Sequence, residues 1–125
     1  LSEMISDRQK ISRVYAQGLK AFHNLRGLEV PSEGVCNYYK YIAILKERKD
    51  RKVLKTELRD RYGVSLSGEV YEEPLHKQPV FKPYASGPLE ISEDYCDRHI
   101  CLPIFSGMKE DEAHWVLQAL KETIE

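Results

Sequence analysis

Along residues 3–26 the apolar side chains Ile11, Val14, Tyr15, Phe22 and Leu25 return at helical spacing, with Gly18 on the same face. That predicts an amphipathic helix, which Gly27 stops by supplying a left-handed residue. The stretch GLEVPSEG, broken by Pro31 and Gly34, predicts a loop. Residues 37–45, NYYKYIAIL, are aromatic and branched and short for a helix, so they predict a mostly buried strand. Asp50 then stands where an N-cap belongs, ahead of a helix over 51–62 that turns Val53, Leu54, Leu58 and Tyr62 inward and stops at Gly63. Val64, Leu66 and Val70 alternate with Ser65, Ser67 and Glu69, the period of a half-buried strand.

From Glu72 to Pro88 the prolines Pro74, Pro79, Pro83 and Pro88 exclude regular structure and predict a long loop. Ser92 is placed to cap a short helix running to about Arg98, and HICLPIF follows as a brief strand ended near Pro103. Ala113, Val116, Leu117, Leu120 and Ile124 define a last amphipathic helix, with Glu110, Asp111 and Glu112 in the first turn, where acids complement the helix dipole. The order α-β-α-β-loop-α-β-α implies an α/β (α+β) domain over 1–125, a small sheet of about three strands with helices packed against it.

Composition narrows the class. The chain has 125 residues, 42% hydrophobic and 31% charged, which excludes collagen-like, low-complexity and disordered readings. No apolar run approaches the ~20 residues of a membrane span, and LSEMISDRQK lacks the apolar core of a signal peptide, so no membrane partner is expected. Cys36, Cys96 and Cys101 are odd in number and form no C-x-x-C pair. They predict neither a disulfide framework nor a zinc site, and they suit a reducing, cytoplasmic setting. The start at Leu1 without Met, and the end at Glu125 directly after a helical pattern, read as a piece of something longer.

Net charge is −1, so there is no overall pull toward nucleic acid, although residues 46–61 carry eight Lys or Arg against four acids. That basic run with its Gly63 turn imitates part of a helix-turn-helix, yet only one helix of the motif is present, and a solvated crossover helix is the better reading. Tyr38, Tyr39 and Tyr41 offer a stacking platform on one reading and a core strand on the other, the core being the commoner outcome. No phosphate loop, nucleophile elbow or histidine pair at metal spacing is present. His23, His99 and His114 read as surface or packed imidazoles. His76 differs. It lies in YEEPLHKQPVF, where a proline on each side lowers the entropy of holding Tyr71, His76 and Gln78 in place for binding.

GEVYEEPLHKQPVF, followed by ISEDYCDRHICLPIFSGMKEDEAHWVLQALKETI, resembles the C-terminal part of the DegT/StrS family of pyridoxal phosphate (PLP)-dependent sugar-nucleotide aminotransferases. The opening SDRQKISRVYAQGL is similar to that family's first small-domain helix, so the resemblance covers essentially the whole chain. It implies the small domain of a fold-type I enzyme, inert alone, with PLP and its Schiff-base lysine in a larger N-terminal domain and no catalytic residue here. The implied reaction moves an amino group from an amino acid, usually glutamate, to a nucleotide-linked keto-sugar in a homodimer. Tyr71, Pro74, Leu75 and His76 match the family's HYPxPLH segment, and Tyr71, His76 and Gln78 are the implied substrate-binding residues. Val70 and Glu72 replace the family's His and Pro, and Lys109 stands at a helix cap often held by Thr. The rival expectation is a stand-alone regulatory or binding domain that uses the basic helix and the tyrosines.

Overall fold

A computed structural model describes all 125 residues. Helix α1 (Ser2–Gly18) tightens into a 3-10 turn (Leu19–Ala21), and strand β1 (Leu25–Gly27) follows. Next come β2 (Tyr41–Leu45) and α2 (Arg51–Tyr62). After a long connection come α3 (Glu90–Arg98), β3 (His99–Leu102) and α4 (Glu110–Ile124). The three strands form one antiparallel sheet in the order β1-β2-β3, with Leu25 opposite Leu45 and Ala43 opposite Ile100. Helix α4 packs on α1 and α2, and the core lies between these helices and the sheet. Tyr15, Leu58, Ile100, Leu102 and Leu120 are fully enclosed there. Each large aliphatic side chain buried in this way contributes roughly 1.5–3 kcal/mol.

Three elements follow the sequence reading closely. Asp50 accepts hydrogen bonds from the amides of Lys52 (2.9 Å) and Val53 (3.2 Å), and Gly63, at φ 66°, ends α2 in the left-handed region. Helix α4 buries Ala113, Val116, Leu117, Leu120 and Ile124, the five residues its periodicity selects. Its start is half of a capping box, since Glu112 accepts from the Lys109 amide at 2.8 Å while Lys109 has no side-chain acceptor to return. β3 ends immediately before Pro103.

Other expectations are corrected. The helix predicted over 3–26 ends at Gly18, and Leu25 lies in β1 rather than on a helix face. The cause is distant in sequence. The Glu125 carboxylate accepts from the amides of His23 (3.1 Å) and Asn24 (2.8 Å), so these donors are taken before a further helical turn can use them. Gly27 is not left-handed. Its missing side chain makes room for the Tyr41 hydroxyl, which would lie 2.7 Å from a Cβ there. The strand predicted over 37–45 begins only at Tyr41, because Tyr38 takes φ 47° and breaks the extended run. Val53 is 62% exposed, since the phase set by Asp50 puts only Leu54 and Leu58 on the buried stripe.

The strand predicted over 64–70 reduces to a single bridge between Ser67 and Cys101. Side chains take the place of a ladder there. Lys40 Nζ donates to the carbonyls of Gly68 and Glu69, and the Val70 amide donates to His99 Nε2 at 3.2 Å. Ser92 caps nothing, because α3 begins at Glu90 and Glu93 reaches back to accept from the Leu89 amide at 3.2 Å. The prolines leave room for two 3-10 turns, Leu75–Lys77 and Lys82–Tyr84. The element order is therefore α-β-β-α-loop-α-β-α. The α/β class and the count of three strands stand, with β1 in the place expected for 64–70.

Candidate functional site

The proline-held loop is fastened to α3 through one carboxylate. Glu93 Oε1 lies 2.8 Å from His76 Nε2, its Oε2 lies 2.6 Å from Lys77 Nζ, and it also accepts the Leu89 amide. A carboxylate only accepts, so His76 carries its proton on Nε2 in this pair. Lys77, then His76, then the Leu89 amide hold the Glu93 carboxyl down to about 2. His76 is the most enclosed of the three side chains, at 11% exposed.

Around this anchor the three residues chosen from sequence come together. Tyr71 and Gln78 line an open depression of about 610 Å³ with Glu72, Glu73, Pro74, Lys77 and Asp97. Tyr71 and His76 line an adjoining cleft of about 310 Å³ with Pro74, Leu75, Leu89 and Ser92. Tyr71 and Pro74 form the ridge shared by both. Tyr71 is 57% exposed and free to meet a ligand, and Gln78 spends one amide hydrogen on the Glu73 carbonyl at 3.4 Å. Three carboxylates against one already paired lysine make the larger depression unfavourable for a polyanion and compatible with hydroxyl-bearing groups.

The segment entering this site is held as firmly as the loop. Lys55 Nζ lies 2.6 Å from Glu69 Oε1. Burial pushes the Glu69 carboxyl up, but the Lys55 hydrogen bond, a backbone amide and the charges of Lys55 and Arg51 outweigh it, and the net shift is downward. His99 was legible only as a packed imidazole, yet it binds the Val70 backbone next to Tyr71. No sequence spacing signals this, because 29 residues separate the partners.

The remaining candidates fall elsewhere. Tyr41 is buried, with Tyr38 stacked on it at 6.1 Å between ring centroids and Tyr15 tilted against it at 5.1 Å, so these rings belong to the core and its margin. Burial, then the neighbouring Tyr38, pushes the Tyr41 hydroxyl up to about 12. The cations of 46–61 are largely engaged internally. Arg51 donates to the carbonyls of Cys96 and His99, Lys55 pairs with Glu69, Arg48 with Asp97, and Arg61 with Glu57. A more apolar depression of about 580 Å³, lined by Val64, Phe105, Met108 and Trp115, was not anticipated from sequence. Its polar lining is Ser65, Asp111 and Glu112, with no histidine, cysteine or lysine among them.

The lysines around this loop do not fit a PLP site. A Schiff-base lysine needs a neutral, desolvated amine. Here Lys77 is pushed up by Glu93, Lys55 is ion-paired, and Lys40 is spent on two carbonyls. The N-terminus of α4, a natural place for a phosphate, is occupied by Glu110, Asp111 and Glu112. No group of three or more His, Cys, Asp or Glu is placed to hold a metal ion, and no helix is long and apolar enough to cross a membrane.

Comparison with known proteins matches residues 1–121 to the family described as the DegT/DnrJ/EryC1/StrS aminotransferase family. The spore coat polysaccharide biosynthesis protein SpsC of Bacillus subtilis (strain 168) is 25% identical over 133 residues, covering 99% of this chain and 33% of that protein. Among solved structures, the aminotransferase TlmJ from Streptoalloteichus hindustanus superposes with a TM-score of 0.83 at 25% identity, over 98% of this chain and 32% of that one. A DegT DnrJ EryC1 StrS aminotransferase from Brucella abortus gives 0.78 at 25% identity, over 95% and 31%. The chain thus spans about a third of the length of the relatives it matches.

Proposed function

The chain belongs to the DegT/DnrJ/EryC1/StrS aminotransferase family, and from that membership we propose that it is the C-terminal small domain of a cytoplasmic, homodimeric sugar-nucleotide aminotransferase. The whole enzyme transfers an amino group from glutamate to a nucleotide-linked keto-sugar, in polysaccharide or antibiotic-sugar synthesis. PLP, held by a large domain outside these 125 residues, supplies the electron sink for that transfer. This domain's part is to recognise substrate.

The observation that carries the reading is that Tyr71 borders two adjoining depressions, with Gln78 lining one and His76 the other, on a loop fastened through Glu93. A phenol and a carboxamide donate to and accept from sugar hydroxyls. The acidic surround of Glu72, Glu73 and Asp97 favours the sugar over the diphosphate at this spot. His76, with Nε2 given to Glu93, keeps Nδ1 as its remaining polar atom. A stand-alone nucleic-acid-binding domain is disfavoured, because the basic run spends its cations on carboxylates and carbonyls of this chain.

The test is steady-state kinetics of Tyr71→Phe and His76→Ala in the full-length enzyme. Each lost neutral hydrogen bond should cost about 1 kcal/mol, read as a several-fold rise in KM for the keto-sugar. Wild-type kcat and KM in both variants, with lower thermal stability alone, would overturn the substrate role. PLP mixed with the isolated 125 residues should give no stable aldimine absorbance.

A further inference from the structure

His99 is buried and makes two hydrogen bonds of opposite sense. Its Nδ1 lies 2.8 Å from the Tyr95 carbonyl, which can only accept, so Nδ1 carries the proton. Its Nε2 faces the Val70 amide at 3.2 Å, which can only donate, so Nε2 presents its lone pair. Together the two partners select one neutral tautomer and one ring orientation.

The imidazole stands where α3 passes into β3, and that junction is itself immobilised. The His99 amide also donates to the Tyr95 carbonyl, and Arg51 reaches from α2 to the carbonyls of Cys96 (2.6 Å) and His99 (3.3 Å). The same stretch of chain, Glu93 to His99, thereby holds the site segment at both ends. His99 grips Val70 at one end, and Glu93 grips His76 at the other. The intervening residues 71–75 are left to span the depression with Tyr71 at their head.

We propose that His99 is a positioning residue, which fixes the Val70 amide and through it aims the Tyr71 phenol at the sugar. The inference rests on the substrate reading of Tyr71. Without the Nε2 acceptor, the Val70 amide is left with the Cys101 thiol, a weak sulfur acceptor, and its peptide group is held only from the carbonyl side, where Lys40 reaches the Glu69 oxygen.

The experiment compares His99→Phe, which keeps bulk and ring shape but accepts nothing, with His99→Gln, whose Oε1 can reach the Val70 amide. Both are made in the full-length, PLP-loaded enzyme, with Tyr71→Phe in parallel. His99→Phe should raise KM for the keto-sugar about fivefold to tenfold with kcat within about twofold, and His99→Gln should restore KM to within about twofold. Amide hydrogen exchange at Val70 should quicken by at least about tenfold in His99→Phe and be slowed again in His99→Gln. If His99→Phe fails to fold, His99→Asn serves instead, since it reaches the Tyr95 side only. Unchanged KM and Val70 exchange in the Phe or Asn variant, while Tyr71→Phe raises KM, overturns the role of His99 and leaves the substrate site standing. Unchanged KM in Tyr71→Phe overturns the substrate reading itself, and the aiming role of His99 with it. A raised KM in His99→Phe that Gln does not restore also overturns the positioning role.

Discussion

The Tyr15 hydroxyl donates to the Pro103 carbonyl at 2.7 Å, joining the middle of α1 to the end of β3 across 88 residues of sequence. Burial first, then the neighbouring Tyr41, pushes that hydroxyl far above the usual tyrosine range, so it stays a donor at every working pH. Tyr15→Phe removes the bond and leaves a carbonyl without its partner at the edge of the core. The expected loss is about 1–2 kcal/mol, measured by urea unfolding, with the denaturant slope unchanged.

Gly18 sits where α1 meets α4, and a Cβ there would overlap Leu117 Cδ1. Alanine improves helix propensity by up to about 1 kcal/mol, but overpacking costs about 1–3 kcal/mol and wins. Gly18→Ala should therefore lower the melting temperature. Combined with Leu117→Ala, the two losses should add to less than their sum, because the second change removes the obstructing side chain.

Asp50 accepts the two amides that open α2. Asp50→Ala should cost about 1 kcal/mol in thermal or chemical unfolding, and Asp50→Ser should recover most of it.

The pH dependence of the site follows from Glu93. Its carboxyl lies near 2 in the folded chain, below the unfolded value of 4.5, so its contribution is complete above 4.5 and is lost as pH falls toward 2. Protonation weakens the hold on Lys77 and His76, and the loop should loosen before the core does. Protection of the Leu89 and Lys77 amides should fall across that window, ahead of amides in α4. In Glu93→Gln the same amides should be poorly protected already at neutral pH and should lose their steep dependence on acid. Protection equal to wild type in Glu93→Gln would show that the prolines alone hold the loop.

Elements whose determinants are local were readable in advance. α2 and α4 needed only a capping carboxylate or an acidic first turn, a stripe at helical spacing and, for α2, a glycine able to adopt positive φ. All of these lie within a few residues of the helix they shape. The loop bearing Tyr71, His76 and Gln78 was legible for a similar reason. Prolines restrict the backbone wherever they occur, and the PLHKQP pattern carried the family resemblance.

What the sequence pattern misplaced depended on partners far along the chain. Residues 19–25 have helical periodicity, but the Glu125 carboxylate, about a hundred positions away, takes two of their amides, and β2 accepts β1 as a neighbour. Residues 64–70 alternate like a strand, but Lys40 and His99 satisfy groups a ladder would have used. Periodicity reports which side chains prefer burial. It is silent on which donor or acceptor will saturate a given backbone group, and that choice is made only when distant segments pack. Sequence alone therefore determined the helices α2 and α4, the proline-held loop and the family. Tertiary structure decided where α1 stops, which segment completes the sheet, and that the carboxylate of Glu93 binds His76 and Lys77 while the imidazole of His99 binds the Val70 amide.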